Sequence, residues 1–355
     1  MIPQLSKIPA LVVITLLALA FAGLHYDSHQ TIKSLVCTSL KAKKNKAAAD
    51  VLFIGTSVVG RSIDPFYIST KLEEYSGQPV SVETLAPVKS YTPRFLALVH
   101  DYIKFRGSPE IVVLNLPYSR FGANAVADTR MLWKIPYTAS TDSLLETGKS
   151  IFKSLDLDLT STEMAFHRDG VNYFRLQLEK LAVNIYGGLR YPILALTNQR
   201  RACPAHMLEP NNFMWAANQG SDKPSPLKKT KSQLKIRESR YRAMMNRPPA
   251  DPSLKVREFE SNQIKSTINL LVDSGSTVYI TTIPRYKETK IDESLIAKYH
   301  VAFENAHYIN LYSELTENQM ESFQQSFNDG VHVDHYGAFV MSQFWVDRLE
   351  NLSSD

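Results

Sequence analysis

Apolar positions along this chain follow two alternating rhythms. Residues 51–54 are a short continuous apolar run and residues 111–116 another, broken only by Asn115, both bounded by polar or turn residues. That is the pattern of strands buried on both faces of a sheet. Residues 79–85 alternate instead, with Val80, Val82 and Leu85 apolar, and residues 277–283 and 308–311 read as two further strands. Between these runs the apolar spacing lengthens to three or four. Phe95, Leu96, Leu98, Val99, Tyr102 and Ile103 predict a helix over 94–105. After Ser57 the chain runs to Asp64 and Pro65, and a helix-like segment follows as far as Tyr75, closed by Gly77. Residues 254–272 form an amphipathic helix that Asp273, Ser274 and Gly275 end, a helix is predicted over 292–302, and a last one runs to about Leu352. Strand, helix, strand in this succession predicts βαβ units and a parallel sheet, an α/β fold.

The rhythm is lost between Phe121 and Pro252, where helices (142–155 and 172–196) alternate with polar loops. Residues 126–253 are therefore read as a helical insertion between the third and fourth strands, where loops acquire specificity elements. Ile185, Leu189, Tyr191, Leu194 and Leu196 read as core, and Gly187, Gly188 and Pro192 would interrupt any membrane span there. Residues 228–247 carry Lys228, Lys229, Lys231, Lys235, Arg237, Arg240, Arg242 and Arg247. The plain reading is a solvated basic helix face, and the functional alternative is contact with a polyanion.

The N-terminal run, residues 8–24, is apolar apart from Pro9, Thr15 and Gly23 and follows Lys7. It stands at the short end of what crosses a bilayer. Ala20, Phe21 and Ala22 also resemble a small-x-small cleavage site, so the segment is either an anchor or a signal peptide, the uncleaved anchor being preferred. Either form sends the rest of the chain across the membrane. Lys33, Lys41, Lys43, Lys44 and Lys46 after the run oppose that orientation by the positive-inside rule. Residues 25–49 read as a short helix or stalk, a solvated tether. The expected organisation is thus 1–24 transmembrane anchor or signal peptide, 25–49 stalk, 50–125 first part of the α/β domain, 126–253 insertion and 254–355 second part.

Composition changes this picture little. With 44% hydrophobic and 21% charged residues the chain can build an ordinary core. A net charge of +5 suits an anionic polymer or a membrane surface as well as a plain solvated one. No interleaving of aromatic and basic residues points to nucleic acid. Cys37 and Cys203 have neither zinc spacing nor a disulfide framework. Without a phosphate-cradling glycine loop or a His-x-x-x-His pair, no cofactor and no metal are expected.

Chemistry is concentrated in two short stretches. Gly55-Thr56-Ser57 ends the first strand, and Asp329-Gly330-Val331-His332 precedes the last helix. Ligands of open α/β sheets bind outside the carboxyl ends of the strands, where both stretches would lie. Ser57 is a poor nucleophile without a base. His332 can take its proton, and Asp329 can fix the imidazole tautomer. Asp334 and His335 are the nearby competitors; as adjacent residues their side chains diverge, and they rank second.

These stretches resemble the SGNH (GDSL-like) hydrolase superfamily, in which a Gly-x-Ser after the first strand carries the nucleophile and a late Asp-x-x-His carries acid and base. By that resemblance Ser57 matches the nucleophile, Asp329 the acid, His332 the base and Gly337 the glycine that often follows. Thr56 stands where the pattern usually has Asp, a departure common among membrane-anchored members acting on envelope polymers. The layout looks most like D-alanyl-lipoteichoic acid biosynthesis proteins and polysaccharide O-acetylation partners. The resemblance implies a three-layer α/β/α SGNH-like sheet with a helical insertion. It implies acyl-ester chemistry, transfer or hydrolysis, on a cell-envelope polysaccharide or teichoic-acid-like polymer, outside a bacterial cytoplasmic membrane. A membrane-bound O-acyltransferase is an implied partner. The family's oxyanion glycine and asparagine are not plain in the corresponding loops. Ser119 or Arg120 is the candidate second donor beside the Ser57 N–H, and Asn115, inside a strand, reads as structural. The rival expectation is a non-catalytic SGNH-like protein that binds a polymer or scaffolds an acyltransferase.

Overall fold

A computed structural model describes residues 46–86, 92–116, 228–245, 254–288 and 304–352, together with Thr38, Lys41 and Ala42. Five parallel strands form one sheet: β1 (Val51–Ile54), β2 (Val82–Leu85), β3 (Ile111–Asn115), β4 (Thr277–Thr281) and β5 (His307–Ile309), in the order β2-β1-β3-β4-β5. With its helices this is an α/β fold. The chain passes from β1 outward to β2 and then returns across β1 to β3, so the β1/β3 junction is where the winding reverses. Crevices open at such switch points.

The continuous apolar runs follow from burial on both sides. Val51 and Phe53 of β1, Val113 of β3 and Tyr279 of β4 face one core. That core is covered by α1 (Ser57–Ser62), α2 (Pro65–Ser76) and α8 (His335–Leu352), with α6 (Leu311–Glu314) and α7 (Glu317–Gln325) at its border. Leu52, Ile54, Val112, Leu114, Val278 and Ile280 face the other core, beneath α3 (Thr92–Arg106) and α5 (Leu254–Asp273). Trp345, fully buried, stands edge-on to Phe53 at 5.4 Å and thereby seats α8 on β1. Truncating such a residue costs about 3–5 kcal/mol.

Several boundaries differ from the sequence reading, each for a local reason. The helix read as following Pro65 starts at Pro65 itself, and α1, which the sequence reading did not give, precedes it. Asp64 starts α2 by accepting from the N–H groups of Phe66 and Tyr67 at 3.0 and 3.2 Å, with Pro65 at the first position. β2 begins at Val82 rather than at residue 79, because its first pairing partner is Val51, where β1 itself begins. β4 ends at Thr281, two residues earlier than expected. Asn310 ends β5 by capping α6, its side chain accepting from Tyr312 N at 3.1 Å. The sequence reading missed α7, although its start is a capping box in which Thr316 and Gln319 exchange side-chain and backbone bonds. The helices expected at 142–155, 172–196 and 292–302 lie outside the described residues, as do residues 8–24, Cys37 and Cys203. Among the described residues no helix is long and apolar enough to cross a membrane.

Lysines read as part of a solvated tether are instead used by the domain. Lys41, 5% exposed, donates to the Thr84 carbonyl at 2.9 Å, and Lys46 reaches Glu83 at 3.4 Å. Glu83 is buried within β2 and held by both terminal nitrogens of Arg106 at 2.7 and 2.8 Å. Arg106 also donates to the Ala47 carbonyl at 2.8 Å and lies over the Tyr102 ring at 4.5 Å. Burial pushes the Glu83 carboxyl up, but the Arg106 bonds and the charges of Lys41 and Arg106 outweigh it and hold it below the usual range. A strand alternation that marks Glu83 as merely polar cannot reveal a buried ion pair, because the partner is on α3.

Candidate active site

Gly55, Thr56 and Ser57 turn the chain from β1 into α1. The Gly55 N–H donates to the Leu85 carbonyl at 3.1 Å, and the Thr56 hydroxyl caps α1 by accepting from Val58 N at 3.2 Å. The turn is tight. A Cβ on Gly55 would lie 2.3 Å from a Val59 methyl and 3.2 Å from the Asn115 Cβ. Ser57 is therefore delivered at the carboxyl end of β1, as the first residue of a helix whose leading N–H groups have no intrahelical acceptor.

The second stretch is a closed loop. Phe327 and Val333 form an antiparallel bridge, Asn328 N donates to the His332 carbonyl at 2.8 Å, and Asp334 N donates to the Ser326 carbonyl at 3.0 Å. Phe327 is fully buried against Phe323, 5.3 Å between centroids, which fixes the loop to α7. Inside the loop Asp329 Oδ1 accepts from Val331 N and His332 N, both at 2.8 Å. The carboxylate thus shapes the turn that carries the histidine. Its other oxygen, Oδ2, faces His332 Nδ1 at 3.0 Å. His332 Nε2 stands 2.9 Å from Ser57 Oγ.

These are the two contacts expected from the sequence, the first between residues three apart and the second between residues 275 apart. A carboxylate at Nδ1 places the ring proton there and leaves the Nε2 lone pair toward the serine hydroxyl. Burial pushes the Asp329 carboxyl up, yet the His332 bond and charge, with the two backbone N–H groups, hold it well below the usual carboxylate range. The imidazole is 30% exposed and the carboxylate 13%, so the chain of bonds runs from a shielded acid to an accessible base.

Asp334, the competing acid, has other employment. Asp334 Oδ1 caps α8, accepting from Tyr336 N at 3.0 Å and Gly337 N at 3.2 Å, while its Oδ2 takes the buried Lys229 ammonium at 2.7 Å. Gly337 lets α8 approach the loop. A Cβ there would stand 2.0 Å from Ser326 Oγ and 2.6 Å from the Val333 Cβ. Asn115 is buried and donates to the Thr281 carbonyl at 3.4 Å, a cross-strand role. Ser119 and Arg120 lie outside the described residues.

The sequence reading did not anticipate the basic helix α4 (Lys231–Met245) at this site. Read as a solvated face, it instead sets part of its charge against the Asp329 loop. Arg240 Nη1 donates to Asp329 Oδ2 at 2.9 Å, and Arg237 donates to the Phe327 carbonyl at 3.4 Å while lying over the Tyr286 ring at 4.3 Å. Tyr286 and Lys287 both bond Glu238, at 2.8 and 3.0 Å. Lys231, Lys235 and Arg242 remain exposed. The available signal was the spacing of Arg237, Arg240 and Tyr241, an i, i+3, i+4 stripe on one helix face. Arg61, one turn beyond Ser57 on α1, is also near. Burial draws its guanidinium down, and the Asp329 charge acts against that. Among the described residues no group of three or more His, Cys, Asp or Glu side chains is placed to hold a metal ion. No protein-family model and no curated protein matches the chain.

Proposed function

We propose that this chain is a membrane-anchored enzyme of the SGNH type, with a three-layer α/β/α domain outside the cytoplasmic membrane. It performs serine-dependent acyl-ester chemistry on a cell-envelope glycan or teichoic-acid-like polymer. The observation that carries the reading is the continuous Ser57–His332–Asp329 hydrogen-bond chain, 2.9 and 3.0 Å, at the carboxyl end of β1. In the reaction Ser57 Oγ attacks the ester carbonyl as its proton passes to His332 Nε2. The tetrahedral oxyanion falls to the Ser57 N–H and a second donor, for which Ser119 and Arg120 are the candidates. Collapse breaks the bond to the leaving alcohol, which takes the proton back from Nε2 and leaves an acyl-serine. Water or a sugar hydroxyl then attacks, its proton passing to Nε2, and Ser57 is regenerated. Water gives an esterase; a sugar hydroxyl gives an O-acyltransferase, with a membrane-bound O-acyltransferase as the partner that supplies acyl groups.

The test is labelling of the full chain with a fluorophosphonate. Labelling that Ser57→Ala abolishes is expected. Absence of labelling in the wild type would favour the rival role, a polymer-binding or scaffolding protein that keeps the fold without the reaction.

A further inference from the structure

We infer that Arg240 is a positioning residue for the acyl-transfer reaction, and that the helical insertion thereby completes the active site. This inference rests on the catalytic reading of Ser57, His332 and Asp329. Asp329 Oδ1 is held by two backbone N–H groups within its own turn. Oδ2 is the oxygen that orients the imidazole, and within the loop only the imidazole itself holds it. A carboxylate held on one oxygen can swing the other out of the imidazole plane. Arg240 Nη1, at 2.9 Å, is a second donor on Oδ2 from outside the loop, and it fixes the carboxylate plane along the line to Nδ1.

The helix that carries Arg240 is seated for this task. Arg237 binds the Phe327 carbonyl at 3.4 Å, and the Tyr241 ring stands edge-on to Tyr286 at 5.7 Å. The Tyr286 N–H in turn donates to the Gly330 carbonyl at 3.4 Å. Gly330 lies against the α4 backbone, where an added Cβ would be 3.5 Å from Tyr241 N. Just before the helix, Lys229 ties Asp334 and the Ser326 carbonyl at 2.7 and 3.1 Å. Among the described residues, the groups that approach Asp329 and His332 from packed elements are thus Ser57 and Arg61 on α1 and Arg240 on α4, with the Lys229–Asp334 pair beyond. Of these, Arg240 alone is bonded to Oδ2 with a side chain that is 63% exposed. Its charge is therefore open to screening by salt.

The experiment compares wild type, Arg240→Met and Arg240→Lys by the second-order rate of fluorophosphonate labelling of Ser57, at low and high salt. In labelling, the Oγ–P bond forms, the P–F bond breaks, fluoride leaves and the serine proton passes to Nε2, so the rate reports activation of Ser57. Arg240→Met is expected to label about ten-fold more slowly, the effect of loosening one charge-assisted contact. Arg240→Lys should recover most of that loss. The wild-type rate should fall toward the Arg240→Met rate between about 0.05 and 1 M salt, over which the Debye length shrinks to about 3 Å, and Arg240→Met should not respond. An Arg240→Met rate equal to wild type, or one that keeps the wild-type salt response, would reduce the contact to an ordinary surface ion pair and overturn the inference. A wild type that does not label at all would instead remove the catalytic reading on which it rests.

Discussion

Asp329→Asn isolates the electrostatic part of the site, because it keeps the size of the side chain and half of its bonds. The amide oxygen can replace Oδ1 and keep accepting from Val331 N and His332 N. The amide nitrogen then stands where Oδ2 was, facing His332 Nδ1–H at 3.0 Å and Arg240 Nη1 at 2.9 Å, donor against donor. The imidazole escapes by moving its proton to Nε2, the atom 2.9 Å from Ser57 Oγ, and there it can no longer accept the serine proton. Flipping the amide restores Nδ1 but sets its NH₂ against two backbone N–H groups, at about 1–3 kcal/mol for donors left unpaired. The wrong tautomer in a Ser-His-Asp triad costs about 10⁴ in kcat, or about 5.5 kcal/mol of barrier. The change in folding stability should be several-fold smaller than that. Turnover of p-nitrophenyl acetate and the rate of fluorophosphonate labelling measure the first quantity, and urea unfolding the second. A variant that labels within ten-fold of wild type, beside a silent Ser57→Ala, would show that Asp329 serves only to shape the turn.

Three further outcomes follow from the packing. Arg106→Met, which leaves Glu83 buried with only lysines for charge, should cost about 3 kcal/mol in urea unfolding. The double change Glu83→Leu with Arg106→Met should cost less than that single one, and additive losses would contradict a coupled pair. Gly337→Ala should press on Ser326 and Val333 and cost about 1–3 kcal/mol. Because those residues frame the His332 loop, labelling of Ser57 should slow even at temperatures where the variant is fully folded. Glu83 and Asp329 are both held below their usual range, so the unfolded chain takes up protons first as pH falls. Their stabilisation is complete above the unfolded values, about 4.3 and 3.9, and is lost below them. Asp64, raised mainly by burial, opposes the trend. The unfolding free energy should be level near neutrality and decline below about pH 4.5, and the Glu83→Leu, Arg106→Met double variant should show a shallower decline. An identical pH slope would remove Glu83 from the account.

What the sequence determined by itself was set by neighbours along the chain. Four-residue apolar runs, the Asp64 and Thr316 caps, the glycine closing α2 and the Asp329–His332 turn are all decided within a few residues, by side-chain period and local hydrogen bonding. The Asp329 carboxylate contacts the N–H and ring of a residue three positions on, so half of the candidate site was legible as a local motif. Tertiary structure alone decided the rest. The strand order puts β1 beside β3 and turns Ser57 toward a loop 275 residues away, which requires both cores to form first. Lys41, Glu83, Arg106 and Lys229 all look like surface charge in a linear pattern. Burying a charge is unfavourable unless an opposite charge from another element arrives with it. No periodicity records that arrival, because the partner lies on a different helix or strand, and only the folded chain brings the two together.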